Sequence, residues 1–227
     1  MKNASYAGNI ITCQFSRIEI CGGISAGKTT LASRIALCGI PCNLERFRDN
    51  PFWRQFYKRP KLVAFETEIT FLMQHYNQIK MFPEGARLQA CDFSFYLDRA
   101  YIDVTLSEQQ RDAFIAVYDQ AIRELGTPSV LVYLRCGENE QLRRVRRRRR
   151  DAEKGITLDY LHALNRALES HVSEIRKNVN VVEIDSEIRD FARDEKVTRE
   201  VLGEIYQALG AEGVEDVLVQ GVYLQPK

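Results

Sequence analysis

The stretch Gly22-Gly23-Ile24-Ser25-Ala26-Gly27-Lys28-Thr29, followed by Thr30, restricts this chain more than any other. Its glycines, lysine and threonine have the spacing Gly-x-x-x-x-Gly-Lys-Thr of a phosphate-binding loop. Such a loop needs a strand before it and a helix after it, and the flanks supply both. Phe15 to Cys21 alternates apolar residues as a strand does, and Thr30 to Leu37 carries them at helical spacing. Gly22 and Gly27 let the backbone turn so that successive N–H groups converge on phosphate oxygens. The first turn of the helix adds partial positive charge. Lys28 can then reach the β- and γ-phosphates, and Thr29 can offer its hydroxyl to Mg²⁺. The loop implies a site for a nucleoside triphosphate.

The rest of the chain alternates strands with helices. Strands are expected at Cys42–Leu44, Leu88–Asp92, Ser129–Arg135 and Val179–Asp185. Ser129–Arg135 is almost wholly apolar, as a strand covered on both faces must be. Helices are expected from Asn50-Pro51 onward, then over Lys61–Lys80, Ser107–Leu125, Glu138–Arg150, Thr157–Lys177 and Lys196–Leu209. Ser107 and Thr157 read as caps, and Gly126 as a stop. This pattern predicts an α/β fold: a three-layer α/β/α domain on a five-stranded parallel sheet, spanning residues 15–210. Residues 1–14 read as an N-terminal extension and 211–227 as a C-terminal tail.

With 227 residues the chain can bury a sizeable core, and its formal net charge of +1 exerts no global pull toward nucleic acid or membrane. No apolar run approaches the length of a membrane span, and residues 1–14 lack a secretory core. Cys13, Cys21, Cys38, Cys42, Cys91 and Cys136 form no Cys-x-x-Cys pair, which fits buried reduced thiols in a cytoplasmic protein.

Acids stand where strands end, and in a parallel sheet ligands gather at those ends. Glu45 follows the second strand and Asp92 closes the third. A kinase of a hydroxyl needs a base beside the attacking oxygen and an acid to help hold Mg²⁺. Seven of the eight residues from Arg143 to Arg150 are arginine, and Asp151–Gly155, which reads as flexible, follows them. Such a run can form a solvated or nucleic-acid-binding face. It can equally form a lid that closes on an anionic transition state, the reading favoured here.

Taken in order, these residues resemble the deoxynucleoside kinase family over roughly residues 16 to 190. The phosphate loop comes first. Glu45 precedes Asn50-Pro51-Phe52, and Tyr57-Lys58-Arg59-Pro60 leads to Ala64-Phe65-Glu66-Thr67-Glu68. Asp92-Phe93-Ser94-Phe95-Tyr96-Leu97-Asp98 follows, then Arg148 to Ile156 and Asp159-Tyr160-Leu161. The resemblance implies ATP as phosphate donor, Mg²⁺, and a deoxynucleoside as acceptor. By position, Glu45 matches the base for the 5′-hydroxyl. Tyr57 and Glu153 match the pair that holds the 3′-hydroxyl. Arg148 and Arg150 match the lid arginines on the phosphates, with Arg146 expected beside them at the cofactor; Asp92 matches the acid near the metal, and Asp185 the start of the loop around the ATP adenine. Glu68 stands for a glutamine that reads the base edge; His75 and Asp98 stand for an Arg and Asp that help recognise an amino-bearing base. The resemblance also suggests a homodimer or higher homo-oligomer through the long helices.

Three departures bear on specificity. Phe93 stands where many members have an arginine, His75 replaces another, and Glu68 exchanges an amide for a carboxyl. An ionised Glu68 only accepts hydrogen bonds and suits guanine, which offers two adjacent donors; a protonated one gives and accepts, and suits adenine. Purine over pyrimidine is therefore expected, with the two purines left open. The competing readings are a nucleoside monophosphate kinase, whose substrate Glu45 would repel, and an ATP-binding scaffold that grips nucleic acid through the arginine run.

Overall fold

The computed structural model describes residues 16–81 and 87–219. The N-terminal extension and residues 220–227 therefore lie outside the described residues. Five strands, β1 (Ser16–Gly22), β2 (Cys42–Asn43), β3 (Leu88–Cys91), β4 (Val130–Arg135) and β5 (Asn180–Asp185), form one sheet in the order β2-β3-β1-β4-β5. Every pairing is parallel. All five carboxyl ends thus face the same edge.

Both sheet faces are covered, as the apolar β4 requires. Ile18, Ile20, Val130, Val132 and Leu134 pack against α1 (Lys28–Leu37) and α8 (Glu195–Val219). Their neighbours Cys21, Leu131 and Tyr133 point to the other face. There they meet α4 (Phe95–Thr105), α6 (Glu138–Arg148) and α7 (Leu158–Ile175). A third apolar cluster joins α2 (Trp53–Phe56), α3 (Pro60–Lys80) and α5 (Glu108–Leu125) to Cys91, Phe93 and Phe95. The period-2 alternation of the strands sorts side chains between layers.

The structure departs from the sequence reading at several boundaries. No element was expected over residues 93–106, where α4 lies, with Ser94 accepting from the Tyr96 N–H as its cap. The helix expected from Asn50-Pro51 onward begins at Trp53, with Asn50 ahead of its N-cap Phe52. The Asn50 Oδ1 accepts from Phe52 N–H while its amide donates to Thr67 O, and α2 is four residues long. The arginine helix stops at Arg148, because Arg149 adopts a left-handed φ of 52°. The last helix runs past the expected Leu209 to Val219, broken by non-helical geometry at Gly210. The Ser107 cap and the Gly126 stop stand as expected, the former completed by Gln110 into a capping box.

In β1 the polar residues between the apolar ones are buried too. Arg17 and Glu19 pair at 2.9 Å with side chains 2% and 0% exposed. The Arg17 guanidinium also donates to Leu125 O and Gly126 O, satisfying the carbonyl end of α5. Glu19 accepts from Phe95 N–H at the start of α4. One buried pair thus ties two helices to the central strand. Glu19→Ala leaves a buried guanidinium without its counter-charge, and we expect a loss of about 3–5 kcal/mol, measured by urea unfolding. A loss below about 1 kcal/mol would show that the carbonyl contacts of Arg17 suffice alone.

Candidate active site

The phosphate loop turns at Gly22 and Gly27, with φ of 154° and 109°. A side chain at Gly22 would also press on Leu134 O at 2.8 Å. The Lys28 ammonium donates to Gly22 O at 2.8 Å and Gly23 O at 3.2 Å, curled over its own loop. Ile24, Ser25, Gly27, Lys28, Thr29 and Thr30 line a cleft of about 820 Å³ at the carboxyl edge of the sheet. Ala26 is fully buried beneath it.

Asp92 follows β3 and faces the loop. Its carboxylate bonds the Thr29 hydroxyl and accepts from Glu45 N–H. Burial raises the Asp92 pKa, against these two hydrogen bonds. The hydroxyl and the carboxylate form a hard-oxygen pair at the mouth of the phosphate loop, the donor type that Mg²⁺ takes. Burial lowers the Lys28 pKa against the pull of Glu45 and Asp92.

Glu45, Glu68 and Asp98 line the same cleft further from the loop. Between Glu45 and Asp98 stands His75, which is buried and lies behind the cleft wall rather than in it. Its Nδ1 is 2.9 Å from Asp98 Oδ2, and its Nε2 is 3.5 Å from Glu45 Oε1. Burial alone would lower the His75 pKa, but Asp98 and then Glu45 outweigh it and raise it to about 10. Burial works to raise Glu45, yet His75, Lys28 and Arg150 hold it below the usual carboxylate range. Glu68 goes the other way. Burial and the nearby Asp98 and Glu45 charges push it well above that range.

The arginine run is divided among three tasks. Arg143 and Arg144 pair with Glu140. Arg144 also reaches Ser25 O, Ala26 O and Ser186, tying the phosphate loop to the segment after β5. Arg148 and Arg150 converge on Glu153, which is only 2% exposed, and Arg150 lies over the Phe47 ring at 4.3 Å. Arg146 is exposed and lines no part of the cleft. Residues Asp151–Gly155, expected to be flexible, form a 3₁₀ turn around Glu153. Tyr57 lies close enough to Glu153 for that charge to add to the rise burial causes in its pKa. Asp185 accepts from the N–H groups of Glu187 and Ile188, shaping the segment that borders the cleft at Ser186 and Arg189–Arg193.

A profile of the deoxynucleoside kinases matches residues 18–209. The chain belongs to the deoxynucleoside kinase family. The kinase is 27% identical to a deoxyadenosine kinase of Dictyostelium discoideum over 190 residues, covering 80% of this chain and 78% of that one. It is 30% identical to a deoxyguanosine kinase of the same organism over 200 residues, covering 81% and 70%. Its fold matches a solved deoxyadenosine kinase of M. mycoides with bound dATP, at TM-score 0.71 and 22% identity, over 82% of this chain and 98% of that one. No described helix of the kinase is long and apolar enough to cross a membrane.

The sequence reading missed Arg144, whose signal was Glu140 four residues earlier on one helix face. It also missed that His75 faces Glu45 as well as Asp98; neither spacing nor composition carries that. The titratable groups facing His75 are Glu45, Glu68 and Asp98. Its folded pKa lies above the unfolded value of about 6.5, so its contribution to stability is full below that pH and is lost as pH rises toward 10. We expect unfolding free energy to fall more steeply from pH 6.5 to 9.5 in the wild type than in His75→Gln. Equal slopes in urea titrations would mean that the ring is neutral.

Proposed function

We propose that the kinase transfers the γ-phosphoryl group of ATP to the 5′-hydroxyl of a purine deoxynucleoside, deoxyadenosine ahead of deoxyguanosine, in cytoplasmic nucleotide salvage. The observation that carries this reading is that Glu45 lines one cleft with both the Lys28 loop and the Glu68–Asp98 pair. Glu45, kept ionised, takes the proton of the 5′-hydroxyl as that oxygen bonds the γ-phosphorus and the bond to the β-phosphate oxygen breaks. Lys28 swings from its loop carbonyls to the β- and γ-phosphates. Thr29 and Asp92 would hold Mg²⁺, which supplies charge neutralisation at the phosphate oxygens. Tyr57 and Glu153 hold the 3′-hydroxyl. Arg148 and Arg150 act as the lid, meeting charge that develops on the transferring group. Since Glu153 already gathers both arginines, one carboxylate links the sugar site to the lid.

Glu68 decides between the purines. Held neutral, its carboxyl donates to adenine N1 and accepts from the 6-amino group, whereas guanine would present two donors to it. Thymine offers one donor between two acceptors and fits least. The alternative of a monophosphate kinase is disfavoured because Glu45 meets the incoming end of the substrate. A nucleic-acid scaffold is disfavoured because Arg144, Arg148 and Arg150 turn to internal acids. The exposed Leu62 and Met73 on α3 and Val117 on α5 form the contact face of the proposed homodimer.

Lys28→Ala should lower kcat by a few hundredfold, about 3–4 kcal/mol of transition-state stabilisation, without unfolding the chain. A variant that keeps a tenth of the wild-type rate would overturn the role of this loop. Glu68→Gln preserves one donor and one acceptor, so kcat/KM for deoxyadenosine should change by no more than about threefold, ~0.7 kcal/mol. A greater loss for deoxyguanosine than for deoxyadenosine would mean that native Glu68 is ionised and reverse the purine order. Thymidine as the best wild-type substrate would overturn the purine reading.

A further inference from the structure

Position 93, where the family resemblance calls for an arginine beside the 5′-hydroxyl site, holds Phe93, fully buried. Its ring lies flat against His75, with centroids 4.1 Å apart and planes 5° from parallel. Phe71, one helical turn before His75, also stacks on it at 6.0 Å and 26° from parallel. The close, near-parallel contact with Phe93 fixes the plane of the imidazole. Along that plane one nitrogen meets Asp98 and the other meets Glu45. The His75 Nε2 atom is buried and has no hydrogen-bond partner at ideal distance; Glu45 Oε1, at 3.5 Å, is the acceptor within reach.

We propose that His75 is a positioning residue for phosphoryl transfer: anchored on Asp98 and clamped by Phe93, it steers Glu45 through its Nε2–H and so does the work left undone by the missing arginine. The proposal rests on the reading of Glu45 as the base for the 5′-hydroxyl. The raised pKa of His75 supports it, since a ring that stays charged carries both N–H donors at neutral pH. Phe93 is then a working part: its neutral ring stacks on a charged imidazole, where the planar guanidinium of an arginine would set a second positive charge against it. The arrangement also links base to chemistry. Asp98 lines the far part of the cleft, so a base that pulls on Asp98 shifts the ring, and the ring shifts Glu45.

The two nitrogens can be replaced one at a time. An asparagine amide overlays Nδ1 and keeps the tie to Asp98, whereas a glutamine amide overlays Nε2 and keeps the donor toward Glu45. We expect His75→Asn to lower kcat about 100-fold, the cost of a base misplaced by about 1 Å, while the calorimetric deoxyadenosine Kd moves less than threefold. His75→Gln should keep kcat within about tenfold and relax discrimination among bases. In a Glu45→Gln background, His75→Asn should have no further effect on kcat, because groups that act as a unit are not additive. Equal kcat losses in His75→Asn and His75→Gln, or full additivity with Glu45→Gln, would overturn the proposal. If His75→Asn does not fold, imidazole ¹⁵N spectra of the wild type and Glu45→Gln carry the same test. The Nε2 resonance of His75 should move on that substitution, and an unmoved resonance would refute the coupling. The underlying kinase reading fails differently, through a wild type with no deoxynucleoside-dependent ATP turnover, and that result would refute both.

Discussion

The site depends on where β1 sits. With β3 on one side and β4 on the other, β1 occupies the point where the chain's path across the sheet reverses, and a crevice opens beyond its carboxyl end. The phosphate loop leaves β1 at that crevice. Asp92 and Glu45, from the neighbouring strands β3 and β2, arrive beside it without any special loop geometry. The price of this central position is a strand buried on both faces, and the Arg17–Glu19 pair is how the polar residues of β1 tolerate it. The same pair seats the start of α4, which carries Asp98 into the cleft. Support and function are therefore joined through one strand.

The phosphate loop, the five strands and the acids at their ends were legible in the sequence because each depends on local spacing. Gly22 and Gly27 need particular φ values, and Val130–Leu134 needs two covered faces; both demands show in one dimension. The helix over Phe95–Thr105 was not legible. Phe95, Tyr96, Tyr101, Ile102, Val104 and Thr105 have side chains that weaken helix preference, and packing of both its faces overrides that preference. The sorting of the arginines was also hidden. Seven similar side chains within eight positions carry no mark of which will meet Glu140, which will meet Glu153, and which, like Arg146, will face solvent. That depends on where Arg149 turns left-handed and ends the helix.

His75 shows the same limit at a single residue. In sequence it stands for a cation that reads the base, seven positions after Glu68. In space the shorter imidazole cannot reach the cleft and is drawn between two carboxylates instead. The short imidazole keeps its charge in the wall between Glu45 and Asp98 rather than at the cleft surface. Phe93 is buried against it and fixes the plane of the ring.

Counting charge in this corner explains the state of Glu68. Three carboxyls, Glu45, Glu68 and Asp98, surround one buried cation. Two are within about hydrogen-bonding reach of the imidazole, which lowers the pKa of Glu45 and offsets part of the rise that burial causes in Asp98. The third has no such contact and is 4% exposed, with two like charges near it. Ionising it would place a third negative charge in a weakly solvated wall, which raises its pKa. An arginine at position 93 would have brought a second cation and tilted that balance toward three ionised carboxylates. Phe93 and the raised pKa of Glu68 therefore belong to one electrostatic balance. The raised pKa of Glu68 and the lowered pKa of Glu45 both depend on a single buried cation shared among three acids.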